Sequence, residues 1–327
     1  MLINSVRQIF VLIVCFVCFQ TANAEWIKQN SGTLAWLRSV YFTNPNKGWI
    51  VGSKGTFLAT DDGGKTWKQN KKITADNIRD VYFADEKNGW LLCERSIYNA
   101  GNQPVSYLMK TFDGGESWEK LDFAEGRERI SRIFFAADGS GFAVGESGAF
   151  LALQNDQRTW KKSALPVRYL MLGGKFTDNS RGVLVGGGGT ILFTEDGGSS
   201  WNQAKLDGDP KTKFASVFFV DQKTGWSVGR EGKIYFTNNG GKFWRAQASD
   251  VAENLSDVFF VNPHEGFAVG DNGMILHTTT AGKVWKIEKS NSGHKLEKVF
   301  FIEKKGFAVG FGGTILTYDL PPASSKS

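Results

Sequence analysis

The sequence predicts an all-β chain folded as a seven-bladed β-propeller with four-stranded blades. Three observations carry that prediction. One twenty-residue phrase, GVLVGGGGTILFTEDGGSSW at 182–201, recurs along the chain: GWIVGSKGTFLATDDGGKTW at 48–67, GWSVGREGKIYFTNNGGKFW at 225–244 and GFAVGDNGMILHTTTAGKVW at 266–285. The phrase keeps a period: the closing Trp falls at 67, 118, 160, 201, 244 and 285, and the opening Phe at 42, 83, 135, 176, 219, 260 and 301. Each phrase also alternates short apolar runs with Gly-rich turns, the pattern of strands covered on both faces. A unit of ~40–45 residues with four short strands is the size of one propeller blade, and seven openings mean seven blades.

Taken in order, residues 1–24 read as a secretory signal: Arg7, an apolar run over 9–19, and the small-x-small site Ala22-Asn23-Ala24. The propeller is expected over 25–320. Strand A of each unit is a Leu-x-x-Val-x-Phe run, at 37–42, 78–83, 130–135, 171–176, 214–219, 255–260 and 296–301. A turn ending in Gly leads to strand B, such as 49–51, and a short Gly-bounded turn leads to strand C, such as 56–60. An Asp-bearing turn then leads to strand D, which is expected to start at the Trp. The last unit supplies only strands A to C before Pro321-Pro322, and 321–327 reads as a disordered tail. Trp26-Ile27-Lys28-Gln29 resembles Trp67-Lys68-Gln69, so the N-terminal strand is expected to complete the last blade and close the ring. Closure protects sheet edges that invite aggregation.

The turn before the Trp reads Thr-x-Asp-x-Gly-x-x-Trp. It stands as Thr60, Asp62, Gly64 and Trp67, as Thr111, Asp113, Gly115 and Trp118, and as Thr194, Asp196, Gly198 and Trp201. The Asp can accept N–H groups of its own turn, Gly permits positive φ, and Trp wedges apolar area between sheets. Asn239 and Thr280 stand at the Asp position in two units, and the third unit has Asn155 and Gln157 ahead of Trp160. This drift favours a structural role over a catalytic or calcium-binding one.

Composition narrows the function classes. The net charge of +6 comes from 39 Lys and Arg against 33 Asp and Glu, without a basic run or helix, which argues against nucleic acid as a partner. Cys93 is the one cysteine outside the leader and occupies the place of Gly52, Gly145, Gly186, Gly229 and Gly270, so a buried small residue is expected. His264, His277 and His294 lie in different units or turns, and there is no metal-spaced cluster. Neither a metal nor a cofactor is expected.

The repeated turns resemble the Asp-box, or sialidase-type, repeat. The fuller unit, strand A followed by Gly-Trp-x-Val-Gly-x-x-Gly-Thr-Ile-Leu-x-Thr-x-Asp-Gly-Gly-x-x-Trp, is similar to the photosystem II stability/assembly factor family. The resemblance runs from Trp26 to about Tyr318. It implies a seven-bladed propeller, exported to a periplasm or a thylakoid lumen, that binds and does not react. The partner it implies is a membrane-complex subunit, gripped by a monomer. The alternatives are a sialidase-like glycosidase or a carbohydrate-binding propeller. A sialidase needs an Arg triad, a Tyr nucleophile with a Glu partner and an Asp acid/base. No Arg-Ile-Pro motif precedes the first repeat.

Strand alternation places all Asp-boxes on one face and the B–C turns and D–A links on the other. The second face varies more. Its turns carry Lys54 and Arg230, and the second unit is longer there, over roughly 94–106. Arg38, Arg79 and Arg132 stand at or next to the start of strand A in three consecutive units. With strand A innermost they form an arc at the channel mouth, suited to bidentate capture of carboxylates or lipid head groups. The competing reading is three solvated charges paired with Asp80 and other acids.

Overall fold

The computed structural model describes residues 25–321 apart from 97, 99, 100, 102, 124–127, 209 and 210. The signal-peptide reading of 1–24 and most of the tail at 322–327 lie outside the described residues.

Seven antiparallel sheets form the molecule, each ordered A-B-C-D from the centre outward. Blade 1, for example, runs Leu37–Phe42, Gly48–Gly52, Phe57–Thr60 and Lys68–Gln69. Each strand A lies beside strand A of the next blade, and Leu37–Phe42 lies beside Leu296–Ile302, so the ring is closed. The closing blade takes its outer strand from the start of the chain: Ile27–Gln29 pairs antiparallel with Ile315–Asp319.

The core is divided into seven clusters, each shared by two neighbouring blades. One contact recurs at every joint. The last Phe of strand A meets the closing Trp edge-to-face, as in Phe42–Trp67 at 5.9 Å and 80°, Phe83–Trp118 at 6.1 Å and 82°, and Phe176–Trp201 at 6.0 Å and 85°. In blade 7 the Trp is Trp26, which meets Phe301 at 6.2 Å and 79°. In several joints the aromatic second residue of strand B in the preceding blade stacks on the same Phe: Trp49 on Phe83 at 3.7 Å and Trp226 on Phe260 at 3.5 Å. The Gly that opens strand B is required by this arrangement. A Cβ at Gly48 would lie 2.5 Å from the Phe42 ring.

Strand D starts at the Trp as expected in blade 3, at Trp160, and its expected start is corrected in the other blades. Trp67, Trp118 and Trp201 stand one residue before it, since the outer ladders begin at Lys68, Glu119 and Asn202. These Trp residues end the turn and do not pair. The Trp118 indole is tied to its turn, its Nε1 donating to the Gly115 carbonyl at 3.0 Å, and its ring sits edge-on to Phe57 of blade 1 at 5.7 Å. The wedge is also less complete than expected in two blades, because Trp67 and Trp118 are only partly buried whereas Trp201 is buried.

Two features depart from a plain repeat. Lys205–Leu206, in the link from blade 4 to blade 5, pairs parallel with Phe243–Gln247 and gives blade 5 a fifth strand. In blade 2, strand B continues to Glu94, and Asn77 pairs with Glu94 before the chain turns. Cys93 therefore continues a strand where the other blades turn at Gly, and its side chain is buried. Burial pushes its thiol up to about 12, which fits the expectation of an inert small residue.

Candidate functional site: the two ends of the hub

A β-bulge interrupts the start of every strand A. The register shifts between Leu37 and Ser39, between Ile78 and Asp80, between Ile130 and Arg132, and likewise in the other four blades. The bulge decides which way each charge points. Arg38, Arg79 and Glu297 are bulge residues and ring the mouth. Arg132 stands one place further along, in register with Ser39, Asp80, Asp257 and Lys298, and lines the throat as well. The expected arc of three arginines is thus present at the mouth, but Arg132 enters it from one place deeper and lines the throat too.

The mouth is a cavity of about 320 Å³. Its wall carries six cations, Arg38, Arg79, Arg132, Lys213, Arg230 and Lys295, against two carboxylates, Asp271 and Glu297. The three arginines singled out by the sequence each have an acid partner. Arg38 Nη1 donates to Glu297 Oε1 at 3.1 Å, and its guanidinium lies 3.5 Å from the Trp36 ring centroid. Arg79 pairs with Glu94 at 3.0 Å and Arg132 with Asp80 at 3.8 Å. Burial works against the charge of Arg132, but the neighbouring Asp80, with Asp257 and Glu297 beyond it, raises its pKa on balance. Lys295 reaches Asp271 at 3.6 Å and Glu297 at 3.7 Å.

Lys213 and Arg230 differ. Among the described residues neither side chain has an ion-pair partner. Burial lowers the Lys213 pKa, and the like charges of Arg230, Lys295 and Arg79 lower it further. Crowded cations without counter-charges mark an anion site more strongly than paired ones. Arg230 was legible as a B–C turn residue. Lys213 and Lys295 were not singled out, yet both directly precede a strand A, and aligning the units there exposes them. Lys54 stands apart from the mouth: it is exposed and in the left-handed region, and its N–H donates to Asn77 Oδ1 at 3.1 Å.

The throat acids hold the hub together. Asp80 accepts from Ser39 Oγ of blade 1 at 2.8 Å and from Ile133 N of blade 3 at 3.3 Å, so one carboxylate ties three blades. Asp257 does the same through Ser216 Oγ and Val299 N at 3.1 Å, and Lys298 neutralises it at 3.3 Å.

The Asp-boxes are self-contained. Thr60 Oγ1 donates to Asp62 and accepts from Gly64 N, while Asp62 Oδ1 accepts from Thr66 N at 2.9 Å. Thr111, Asp113 and Gly115 repeat the arrangement ahead of Trp118, as do Thr194, Asp196 and Gly198 ahead of Trp201. The hydroxyls of Ser117 and Ser200 and the amides around them hold Asp113 and Asp196 down to about 2. Asn239 keeps the same bonds in blade 5, and Thr280 accepts from Val284 N in blade 6. Among the described residues no cluster of His, Cys, Asp and Glu could hold a metal ion, and no helix is long and apolar enough to cross a membrane.

Comparison with known proteins agrees with this architecture. The profile of the family described as "Photosynthesis system II assembly factor YCF48" matches residues 19–79 and 152–250. The photosystem II assembly protein Ycf48 of Synechococcus sp. strain JA-3-3Ab is 26% identical over 180 residues, covering 54% of this chain and 51% of that protein. The chloroplastic photosystem II stability/assembly factor HCF136 of Guillardia theta is 50% identical over 52 residues, 15% of this chain and 13% of that protein. The chain thus spans about half the length of the first of these curated relatives and a smaller part of the second. A solved structure titled "YCF48 bound to D1 peptide" superposes with a TM-score of 0.75 at 20% identity, over 92% of this chain and 96% of that one. YCF48 from Cyanidioschyzon merolae gives 0.72 at 19% identity, over 90% and 99%. At these identities the structural likeness is one of fold.

Proposed function

We propose that this chain is a member of the photosystem II assembly factor-like family and that it is a non-catalytic scaffold that holds a segment of a membrane-complex subunit during assembly. The observation that carries the reading is the mouth of the hub, where four of six cations are paired with acids and Lys213 and Arg230 have no ion-pair partner among the described residues. An acidic or carboxylate-bearing segment supplies the missing charge, and long-range attraction steers it to the mouth. That one solved relative carries a D1 peptide is in keeping with such a partner. The glycosidase alternative finds no support in the acids. The throat carboxylates are bound to neighbouring blades and paired with cations, and the Asp-box carboxylates are held by their own turns. With the leader at 1–24, the reading places the protein outside the cytoplasm, in a thylakoid lumen or a periplasm.

The test is crosslinked co-purification from membranes of the source organism. Wild type is expected to recover photosystem subunits, and the double variant Lys213→Glu/Arg230→Glu to lose them while keeping its thermal midpoint. Equal recovery by the variant refutes the mouth as the site. Recovery of an envelope transporter or secretion component in place of photosystem subunits refutes the assembly role.

A further inference from the structure

The Asp-box end of the hub is built from other residues. The fifth residue of strand A faces the channel in every blade. Six are aromatic (Tyr41, Tyr82, Phe134, Phe218, Phe259 and Phe300) and the seventh is Lys175. Five of the aromatics form a continuous wall through ring contacts: Phe218–Phe259 at 4.6 Å, Phe259–Phe300 at 5.6 Å, Phe300–Tyr41 at 5.5 Å and Tyr41–Tyr82 at 5.2 Å. The wall is interrupted across blades 3 and 4, between Tyr82 and Phe218. There Phe134 leans over Gly174, where a Cβ would lie 2.4 Å from its ring, and Gly173 leaves the throat position above without a side chain. The break opens on the central channel, a cavity of about 240 Å³ lined by strand A of all seven blades.

Lys175 reaches this space without a counter-charge. The cavity wall holds three cations, Arg132, Lys175 and Lys298, and two acids, Asp80 and Asp257. Both acids are engaged, Asp80 by Arg132 at 3.8 Å and Asp257 by Lys298 at 3.3 Å. Asp221, beside Lys175 in the outer vestibule, accepts from Lys223 N at 2.7 Å and Thr224 N at 2.6 Å in its own turn. Among the described residues Lys175 has neither an ion-pair nor a hydrogen-bond partner, and no ring lies under its ammonium as the Trp90 ring lies 4.4 Å from that of Lys110. Its pKa is lowered, by burial first and by the charge of Lys298 second. A half-buried ammonium with apolar walls on both sides is an incomplete ion pair.

We infer that the Asp-box end of the hub is a second binding site, for a carboxylate carried on an apolar or aromatic body. The carboxylate completes the ion pair with Lys175, and the body lies against the aromatic wall. A free small acid and the C-terminal residue of a polypeptide present the same chemistry. The inference does not rest on the assembly role, because the site lies at the opposite end of the channel from Lys213 and Arg230.

Calorimetric titration with four probes tests it: benzoate, N-acetylphenylalanine, and the amide of each. One or both acids are expected to bind saturably, with the matching amide at least ~10-fold weaker, a difference of about 1.4 kcal/mol. Tighter benzoate identifies a free small acid, and tighter N-acetylphenylalanine identifies a chain terminus. Lys175→Met is expected to abolish binding, Lys175→Arg to keep part of it, and Lys213→Glu/Arg230→Glu to leave it unchanged. The inference is overturned if neither acid saturates by about 10 mM, a free energy weaker than about −3 kcal/mol. Amides that match the acids, or a Lys175→Met protein that folds and binds as wild type does, overturn it equally.

Discussion

Trp26→Ala removes the side chain that locks the ring. Trp26 is 1% exposed, and its indole touches Tyr318 at 5.1 Å, Phe267 at 5.9 Å and Phe301 at 6.2 Å. A buried Trp removes roughly 200 Å² from water, which at ~25 cal/mol per Å² is an upper figure of about 5 kcal/mol. Large aromatic to Ala changes in cores cost about 3–5 kcal/mol, so the two estimates agree. The strand it anchors makes only a three-residue ladder with Ile315–Asp319, and its Ile27 is half exposed, so little else holds the closure. For a domain of this size the expected loss is about 6–10 °C in the thermal midpoint, at about 2 °C per kcal/mol. Trp201→Ala, at the same position of blade 4, is expected to cost about as much, since Trp201 makes the same contact with Phe176. Ile27→Ala is expected to stay within about 0.5 kcal/mol, as exposed substitutions do. Thermal unfolding followed by tryptophan fluorescence reads all three. A Trp26→Ala cost below about 1 kcal/mol beside a full cost for Trp201→Ala refutes closure by the N-terminal strand.

Two further outcomes are expected. Gly313 has φ +69° and would place a Cβ 1.8 Å from the Thr33 carbonyl oxygen, whereas Gly32 at φ +67° has open space around it. Gly313→Ala is therefore expected to lower stability by more than about 2 kcal/mol and Gly32→Ala by about 1 kcal/mol, and equal costs in urea denaturation refute the steric account. Asp113 and Asp196 are held at about 2 in the folded chain against ~4 in the unfolded one, so their contribution is whole above pH ~4 and lost as pH falls towards 2. Carboxyl NMR titration with midpoints near 4 for both residues overturns that account.

The blades and their closure were legible because the contacts that make them recur. The same Phe meets the same Trp at each joint, so both types reappear at a fixed spacing, and the one missing Trp was found at the far end of the chain. The residue at which strand D starts was less legible, because it shifts from blade to blade: the strand begins after Trp118, at Trp160 and before Trp244. The fifth strand of blade 5 was not legible. Lys205–Leu206 is fixed by parallel pairing with Phe243 and Trp244 and carries no turn signal of its own. The candidate site was legible in part. Arg38, Arg79, Arg132 and Arg230 do meet at the mouth, but a bulge leaves no mark in the sequence, so the different direction of Arg132 could not be read. Nor could the pairing of Arg38 with Glu297, which spans 259 residues and exists only because the ring closes.

The division of labour along strand A separates the joints between blades from the hub where the proposed partners bind. Its first, fourth and sixth residues face neighbouring blades and are nearly uniform around the ring, because each must fit the same joint. Its second and third residues face the hub and are free to differ, and its fifth, also facing the hub, is aromatic in every blade but the fourth. In the throat that freedom produces matched charges: Asp80 with Arg132, and Asp257 with Lys298, each acid also bonded to adjoining blades. A segment threading the hub would have to break those bonds, and removing one partner of a buried pair costs about 3–5 kcal/mol. At the two ends the charges are unmatched, Lys213 and Arg230 at one and Lys175 at the other. On the two proposed readings ligands are gripped at the ends of the hub, and the throat between them keeps both ends in shape.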